Sequence, residues 1–177
     1  MKTTRSKSKV VAKQHPTVSG IICGTENPVS LGCRFYELES REVATVFTPE
    51  HVHEGHRGIM HGGISGAVLD ELMGRATLHS FLYTDKEWVQ SSVTAEMTVK
   101  YKKPILVGRK MYGYGRVDRE EEKCYYNSAE IVDENGEIMA TATGVYVKVD
   151  LPGDRDPKFR QTGKDRAELT PEDPKEL

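Results

Sequence analysis

The sequence predicts an α+β domain in which one long central helix is wrapped by a curled antiparallel β-sheet of about five to six strands. Three observations carry this. The stretch from Gly62 to Ser80 is apolar almost all the way round at helical spacing, and such a helix is normally buried. Segments on both sides of it alternate apolar and polar residues with period two, as strands with one packed face do. Their order is two strands, the helix, then three or four long strands, and one sheet curled around the helix satisfies the burial demands of both.

Taken in order, residues 1–19 carry Lys2, Arg5, Lys7, Lys9 and Lys13 with no acidic residue, and read as a disordered basic arm. Residues 20–150 are the expected folded domain. Ile21 to Leu31 reads as a loop or short helix punctuated by Gly24 and Pro28. Cys33–Leu38 and Glu42–Thr48 read as strands joined by a turn at Glu39-Ser40-Arg41. Gly55, Gly58, Gly62 and Gly63 keep the next stretch in loop conformation until the helix begins near Gly62. Ile64, Ala67, Val68, Leu72 and Ala76 form the main apolar stripe of that helix, widened by Leu69, Met73 and Leu78. Trp88 to Tyr101 reads as a long strand. Val93, Ala95, Met97, Val99 and Tyr101 fall on one face, and Ser92, Thr94, Glu96, Thr98 and Lys100 on the other. Arg109–Glu120 is a further strand, in which Gly113 and Gly115 suggest bends or a bulge. Lys123–Val132 and Glu137–Val149 pair as a hairpin across Asp133-Glu134-Asn135-Gly136. Residues 151–177 read as a polar tail.

A second stripe on the helix points to chemistry. Gly63, Gly66, Asp70, Gly74 and Thr77 share one narrow face at about 100° per residue. Each mid-helix glycine costs about 1 kcal/mol relative to alanine, so close approach by another backbone or a ligand is expected there. Glu71 lies on a different face, four residues before Arg75, at ion-pair spacing. Asp70 is therefore the better functional candidate of the two carboxylates. On spacing alone, Asp70 as a plain polar position at the solvent boundary stays open. The helix start offers free N–H groups and the positive end of a dipole, and Gly62 lets a ligand reach them.

These residues resemble a known family. His61-Gly62-Gly63 followed by Leu69-Asp70-Glu71 and Gly74 resembles the hotdog-fold acyl-CoA thioesterases of the phenylacetate-pathway (PaaI-like) group. Cys23-Gly24-Thr25-Glu26-Asn27-Pro28 with Leu31, the approach loop Gly55 to His61, and Tyr101-Lys102-Lys103-Pro104 resemble further segments of that group, in the same order. The resemblance implies hydrolysis of an acyl-CoA to free acid and coenzyme A, with no cofactor. Asp70 would be general base or nucleophile and the Gly62 N–H the oxyanion donor. Thr94 falls where relatives place a hydroxyl that orients water. Many relatives carry an asparagine or glutamine where this chain has Gly55. His53, His56, His61, Gly63 and Thr94 are expected to bind the substrate, with His53 and His56 lining its mouth and His61 also bonding the loop. Met60, Met73, Phe81 and Trp88 are candidate pocket lining. Gly62 and Asp70 stand eight residues apart on one helix, roughly 12 Å, so they cannot both touch one carbonyl. The family resolves this with sites shared across a dimer, so a homodimer or dimer of dimers is expected. The alternative is a non-catalytic acyl-CoA-binding hotdog protein or regulator.

Composition sets the outer bounds. A net charge of −2 over 177 residues gives no argument for nucleic acid or an anionic membrane surface. No apolar run approaches a membrane span and no signal-peptide core follows the start, so a cytoplasmic protein is expected. Cys23, Cys33 and Cys124 are scattered, which fits free thiols in a reducing compartment. His51, His53, His56 and His61 match no common metal-ligand spacing, so no metal site is expected. Lys100, Lys102, Lys103, Arg109 and Lys110 form a basic edge. It is either plain solvated surface or a dock for coenzyme A phosphates, with Lys102 and Lys103 the leading candidates.

Overall fold

The computed structural model of the chain describes residues 1–81, 91–149 and 166–177. Its elements are β1 (Val10–Lys13), β2 (Arg34–Leu38), β3 (Val43–Phe47), β4 (Glu54–His56), β5 (Ile59–Met60), α1 (Gly62–Phe81), β6 (Ser92–Tyr101), β7 (Met111–Glu120), β8 (Cys124–Asp133) and β9 (Ile138–Lys148). The main sheet has seven strands in the order β1-β2-β3-β7-β8-β9-β6, with every pairing antiparallel. The short pair β4-β5 forms the loop that leads into α1.

α1 lies in the concave face of this sheet. Val68, Leu69, Leu72, Met73 and Ala76 are sealed from solvent against Phe35, Val43, Ile131, Ala140 and Ala142. Each large side chain buried this way contributes about 1.5–3 kcal/mol. The helix sits closest over β7, and two glycines make that possible. A Cβ on Gly115 would fall 2.5 Å from the Leu72 carbonyl oxygen, and one on Gly113 would fall 2.7 Å from a Leu72 methyl. These two residues therefore seat the helix on the sheet; the ladder irregularity in β7 lies further along, between Val117 and Arg119. The hairpin at Asn135-Gly136 forms as read, with Gly136 at φ 72° and Asp133 Oδ1 accepting from the Asn135 and Glu137 amides.

Three expectations need correction. The sheet has one strand more than the five to six expected, because β1 arises inside the supposed disordered arm. Arg5 pairs with Glu42 and Glu130, and its guanidinium stacks over the Tyr114 ring at 4.1 Å. The described end of the polar tail is also docked. Lys13 bonds Asp173 at 2.8 Å, Tyr36 donates to the same carboxylate, and Leu177 is buried beside Val10, Leu38 and Tyr114. Composition could not show this, since the neutralising partners lie far apart in sequence.

The third correction concerns β6. Strict alternation would place Thr94 with Glu96, Thr98 and Lys100. In the structure the register passes from Thr94↔Tyr146 directly to Glu96↔Val145, so Ala95 is an extra, bulged residue. Thr94 thereby joins Met97, Val99 and Tyr101 on the face toward the helix. The part of this strand read from Trp88 to Gln90 lies outside the described residues.

Candidate active site

The small-residue face of α1 turns toward β6 and β9. Tyr101 of β6 lies over the helix start: its ring is 3.5 Å from where a Gly62 side chain would be, and its hydroxyl donates to the Gly62 carbonyl at 2.8 Å. The same hydroxyl passes 3.6 Å from a would-be Gly66 side chain, and the Tyr146 ring of β9 lies 3.7 Å from one at Gly74. Within the chain, then, tyrosine side chains occupy the space the small residues leave.

Asp70 sits midway along this face and is half-buried. Its Oδ1 accepts hydrogen bonds from Thr94 Oγ1 at 2.8 Å and from Tyr146 Oη at 2.6 Å. Oδ2 accepts none among the described residues. Burial, and then the bond to Asp70, push the Tyr146 phenol well above the ordinary tyrosine range, so it remains a donor. Tyr146 carries no motif, and the sequence reading did not find it.

Glu71 points elsewhere, as its helical phase requires. It pairs with Arg75 at 2.8 Å. Arg75 is buried, stacks over Phe35 at 4.4 Å, and donates to Gln14, the His15 carbonyl and Cys23 Sγ. This network joins the helix to the segment around Cys23, which accounts for its charges without substrate.

The loop before α1 places the histidines. His61 caps the helix: its carbonyl accepts the Ile64 and Ser65 amides, and its Nδ1 accepts the Gly63 amide at 2.9 Å. The Gly63 N–H is thus taken by the cap, whereas the Gly62 N–H has no hydrogen-bond acceptor among the described residues. A side chain on Gly55 would begin 2.6 Å from the His61 ring, so the polar residue many relatives carry there has no room. His53 departs from the expected substrate mouth. It is buried, its Nδ1 accepts the Glu50 amide, its Nε2 faces the Val29 carbonyl, and its own carbonyl accepts the His61 amide. His53 therefore braces the loop, while His56 is exposed on β4. His51 pairs with Glu54. Among the described residues, no three His, Cys, Asp or Glu side chains converge as metal ligands would.

Lys102 and Lys103 follow β6, and both backbone amides donate to the Met139 carbonyl. The Lys103 ammonium pairs with Glu137, whereas Lys102 is exposed and makes no ion pair among the described residues. Met60 and Met73 are core residues, not open lining. Trp88 and the Phe81 side chain lie outside the described residues.

A single long helix in the curve of an antiparallel sheet is the hotdog arrangement, here with a carboxylate on the small-residue face of the helix and an open N–H at its glycine start. Comparison with known proteins agrees. Residues 57–140 match the model of the thioesterase superfamily. A curated relative, acyl-coenzyme A thioesterase THEM4 of Xenopus laevis, is 26% identical over 118 residues, which cover 66% of this chain and 50% of the relative. The chain thus matches about half the length of that protein. Among solved structures, a thioesterase superfamily protein superposes with a TM-score of 0.64 at 20% identity, covering 73% of this chain and 60% of that one. The Escherichia coli PaaI protein from the phenylacetic acid degradation operon superposes with a TM-score of 0.59 at 15% identity, covering 68% and 81%. A hypothetical thioesterase from Streptococcus pneumoniae, solved with coenzyme A, reaches 0.55 at 15% identity, covering 61% and 81%. At these identities the superpositions establish the fold. No helix among the described residues is long and apolar enough to cross a membrane.

Proposed function

We propose that this chain is an acyl-CoA thioesterase, hydrolysing an acyl-CoA thioester to free acid and coenzyme A. The observation that carries the reading is the Asp70 carboxylate, held at Oδ1 by two hydroxyls with Oδ2 open on the small-residue face of α1. With Asp70 as base, Oδ2 takes a proton from water and the hydroxide oxygen bonds the thioester carbon. The carbonyl oxygen gains the displaced electron pair, and the Gly62 N–H stabilises that oxyanion. Collapse breaks the carbon–sulfur bond, and the thiolate of coenzyme A recovers the proton from Asp70. With Asp70 as nucleophile, Oδ2 itself bonds the carbon, the carbon–sulfur bond breaks and coenzyme A leaves as a thiolate that takes a proton from solvent; water then cleaves the resulting anhydride to the free acid and the Asp70 carboxylate. Both routes need donor and carboxylate at one carbonyl, so we assign the Gly62 and Asp70 of one site to two subunits of a dimer or dimer of dimers.

The bound coenzyme A in the Streptococcus pneumoniae neighbour supports the substrate class. We place His56, His61 and Gly63 at the mouth of the site and Lys102, ahead of Lys103, on the phosphates. Three free cysteines support a reducing, cytoplasmic setting. The test is steady-state hydrolysis of a panel of acyl-CoA substrates from short to long and aryl chains, read by released thiol. Turnover of at least one class supports the reading. Tight binding across the panel with no thiol release would favour the non-catalytic acyl-CoA-binding alternative.

A further inference from the structure

We infer that Tyr146 is a positioning residue for the Asp70 carboxylate, fixing Oδ1 so that Oδ2 alone faces the reacting atoms. The inference rests on the proposed role of Asp70 and deepens it.

Register creates the arrangement. Thr94 and Tyr146 are direct cross-strand partners on β6 and β9, and the bulge at Ala95 is what turns Thr94 inward to join the tyrosine. Both hydroxyls therefore converge on one oxygen of the helical carboxylate. The phenolic proton is shared between Oδ1 at 2.6 Å and the Asp70 backbone carbonyl at 3.0 Å, which ties the side chain to its own stretch of helix. Tyr146 is 2% exposed. Gly74 on one side and Gly144 on the other leave its ring a slot: a Cβ on Gly144 would already touch it at 3.0 Å. An aromatic side chain so enclosed loses little further freedom when it bonds, so its hydroxyl is pre-placed. A tyrosine kept here only for packing would need neither the hydroxyl nor its aim at a carboxylate.

The chemical consequence follows. Bonds donated to a carboxylate stabilise its charged form, and charge-assisted ones are roughly twice as strong as neutral ones. Two donors on Oδ1 hold the anion in one rotamer and leave Oδ2 free to receive a proton or attack. Among the described residues, the groups bearing on this carboxylate are few. β9 contributes Tyr146 and β6 the Thr94 hydroxyl, which does not titrate in the working range. On α1 itself Glu71 is near enough to act on Tyr146 and is tied to Arg75.

The test is the pH–rate profile of Tyr146→Phe, which removes the hydroxyl and keeps the ring. Loss of one charge-assisted bond, about 1.4 kcal/mol, lowers kcat about tenfold. KM should stay within twofold, and the acid limb of kcat should move to higher pH. Replacing Tyr146 with 3-fluorotyrosine makes the phenol a stronger donor and should move the limb to lower pH. A merely structural tyrosine would change the melting temperature and leave the limb in place. Opposite shifts in the two variants support the inference; unshifted limbs, or shifts in the same direction, overturn it. Asp70→Asn run in parallel separates the two levels. If that variant keeps near-wild-type turnover, the proposed role of Asp70 itself fails. If it is inactive while Tyr146→Phe is unchanged, only the role of Tyr146 fails.

Discussion

Gly115→Ala should act on the active site from the far side of the helix. The new methyl would lie 2.5 Å from the Leu72 carbonyl oxygen and 2.9 Å from Leu72 Cβ. Ordinary contact begins near 3.4 Å, so helix and strand must separate by roughly 1 Å at that point. The obstruction is helix backbone, which cannot rotate aside as a side chain does. Overpacking of this kind costs about 1–3 kcal/mol, against a gain of about 0.4–1 kcal/mol from reduced freedom of the unfolded chain. The net is a destabilisation of up to about 2.5 kcal/mol, equivalent to a fall of up to roughly 10 °C in melting temperature for a domain of this size. Asp70 lies two residues before Leu72, so the displacement also reaches the contacts with Thr94 and Tyr146. Gly113→Ala is the matched control, because its methyl meets side chains and no backbone, a Leu72 methyl at 2.7 Å and the Thr45 methyl at 3.1 Å. Thermal and urea unfolding of both variants, with kcat alongside, checks the reasoning. Equal stability of the two, or a Gly115→Ala protein as stable as wild type, would refute the claim that glycine sets the helix height.

Asp70→Asn should fold normally and lose most hydrolysis, while Glu71→Gln keeps turnover and loses about 1–2 kcal/mol of stability through the unsatisfied Arg75; equal loss of activity in both would undo the assignment of the two carboxylates. Lys102→Ala with Lys103→Ala should raise KM for an acyl-CoA and leave the N-acetylcysteamine thioester of the same acid unaffected, and equal effects on both substrates would mark a plain solvated edge. Asp173 gives an acid-sensitive anchor. Burial opposes its charge, but bonds from Lys13, the Thr170 amide and Tyr36 prevail and hold it at about 2, below the ordinary 3.8. A lowered carboxyl contributes stability that is whole above pH 3.8 and is lost as pH falls toward 2, here about 1–2 kcal/mol after screening. Proteolysis of the C-terminal segment between pH 4 and pH 2 should show the loss in wild type and no such pH step in Asp173→Asn.

The sequence made the core legible because helical and strand periods report burial directly. The α1 stripe from Ile64 to Ala76, the Asn135-Gly136 turn and the split between Asp70 and Glu71 all came from local spacing. What it missed depends on tertiary register. A one-residue bulge at Ala95 inverts the face of Thr94, and nothing in the run from Val93 to Tyr101 marks it. Tyr146 looked like one alternating residue of a strand and acquires its role only opposite Thr94 and beneath Gly74. The histidines misled in the other direction. His53 was expected at the substrate mouth yet braces the loop, while His61, expected to bond the loop, also caps the helix. The terminal segments were misread because charge runs signal solvation only when their partners are absent. Arg5 and Lys13 find theirs at Glu42, Glu130 and Asp173.

The sheet edges bear on the proposed sharing of the site between two subunits. The outer edge of β1 is covered by the chain's own C-terminal segment, through bridges Lys9↔Glu176 and Lys13↔Ala167 and the Val10 amide bonded to the Lys175 carbonyl. At the other end β6 pairs only with β9, and its outer edge is open over ten residues among those described. An open edge this long is a template for a second chain. It is also the strand that carries Thr94 and Tyr101, so a copy docked there would bring its own helix start beside Asp70. In the proposed dimer this would supply a donor across the roughly 12 Å that separates Gly62 from Asp70 within one chain. Gly62→Val should obstruct the oxyanion position and Asp70→Asn should remove the carboxylate, each leaving an inactive protein. Co-refolded in equal amounts, random pairing makes half of the dimers mixed, and each of these has one site with both parts intact. Recovery of about a quarter of wild-type activity is expected. A fully active monomer in ultracentrifugation, or no recovery with mixed dimers demonstrated, would return donor and carboxylate to a single chain and require a different oxyanion donor near Asp70.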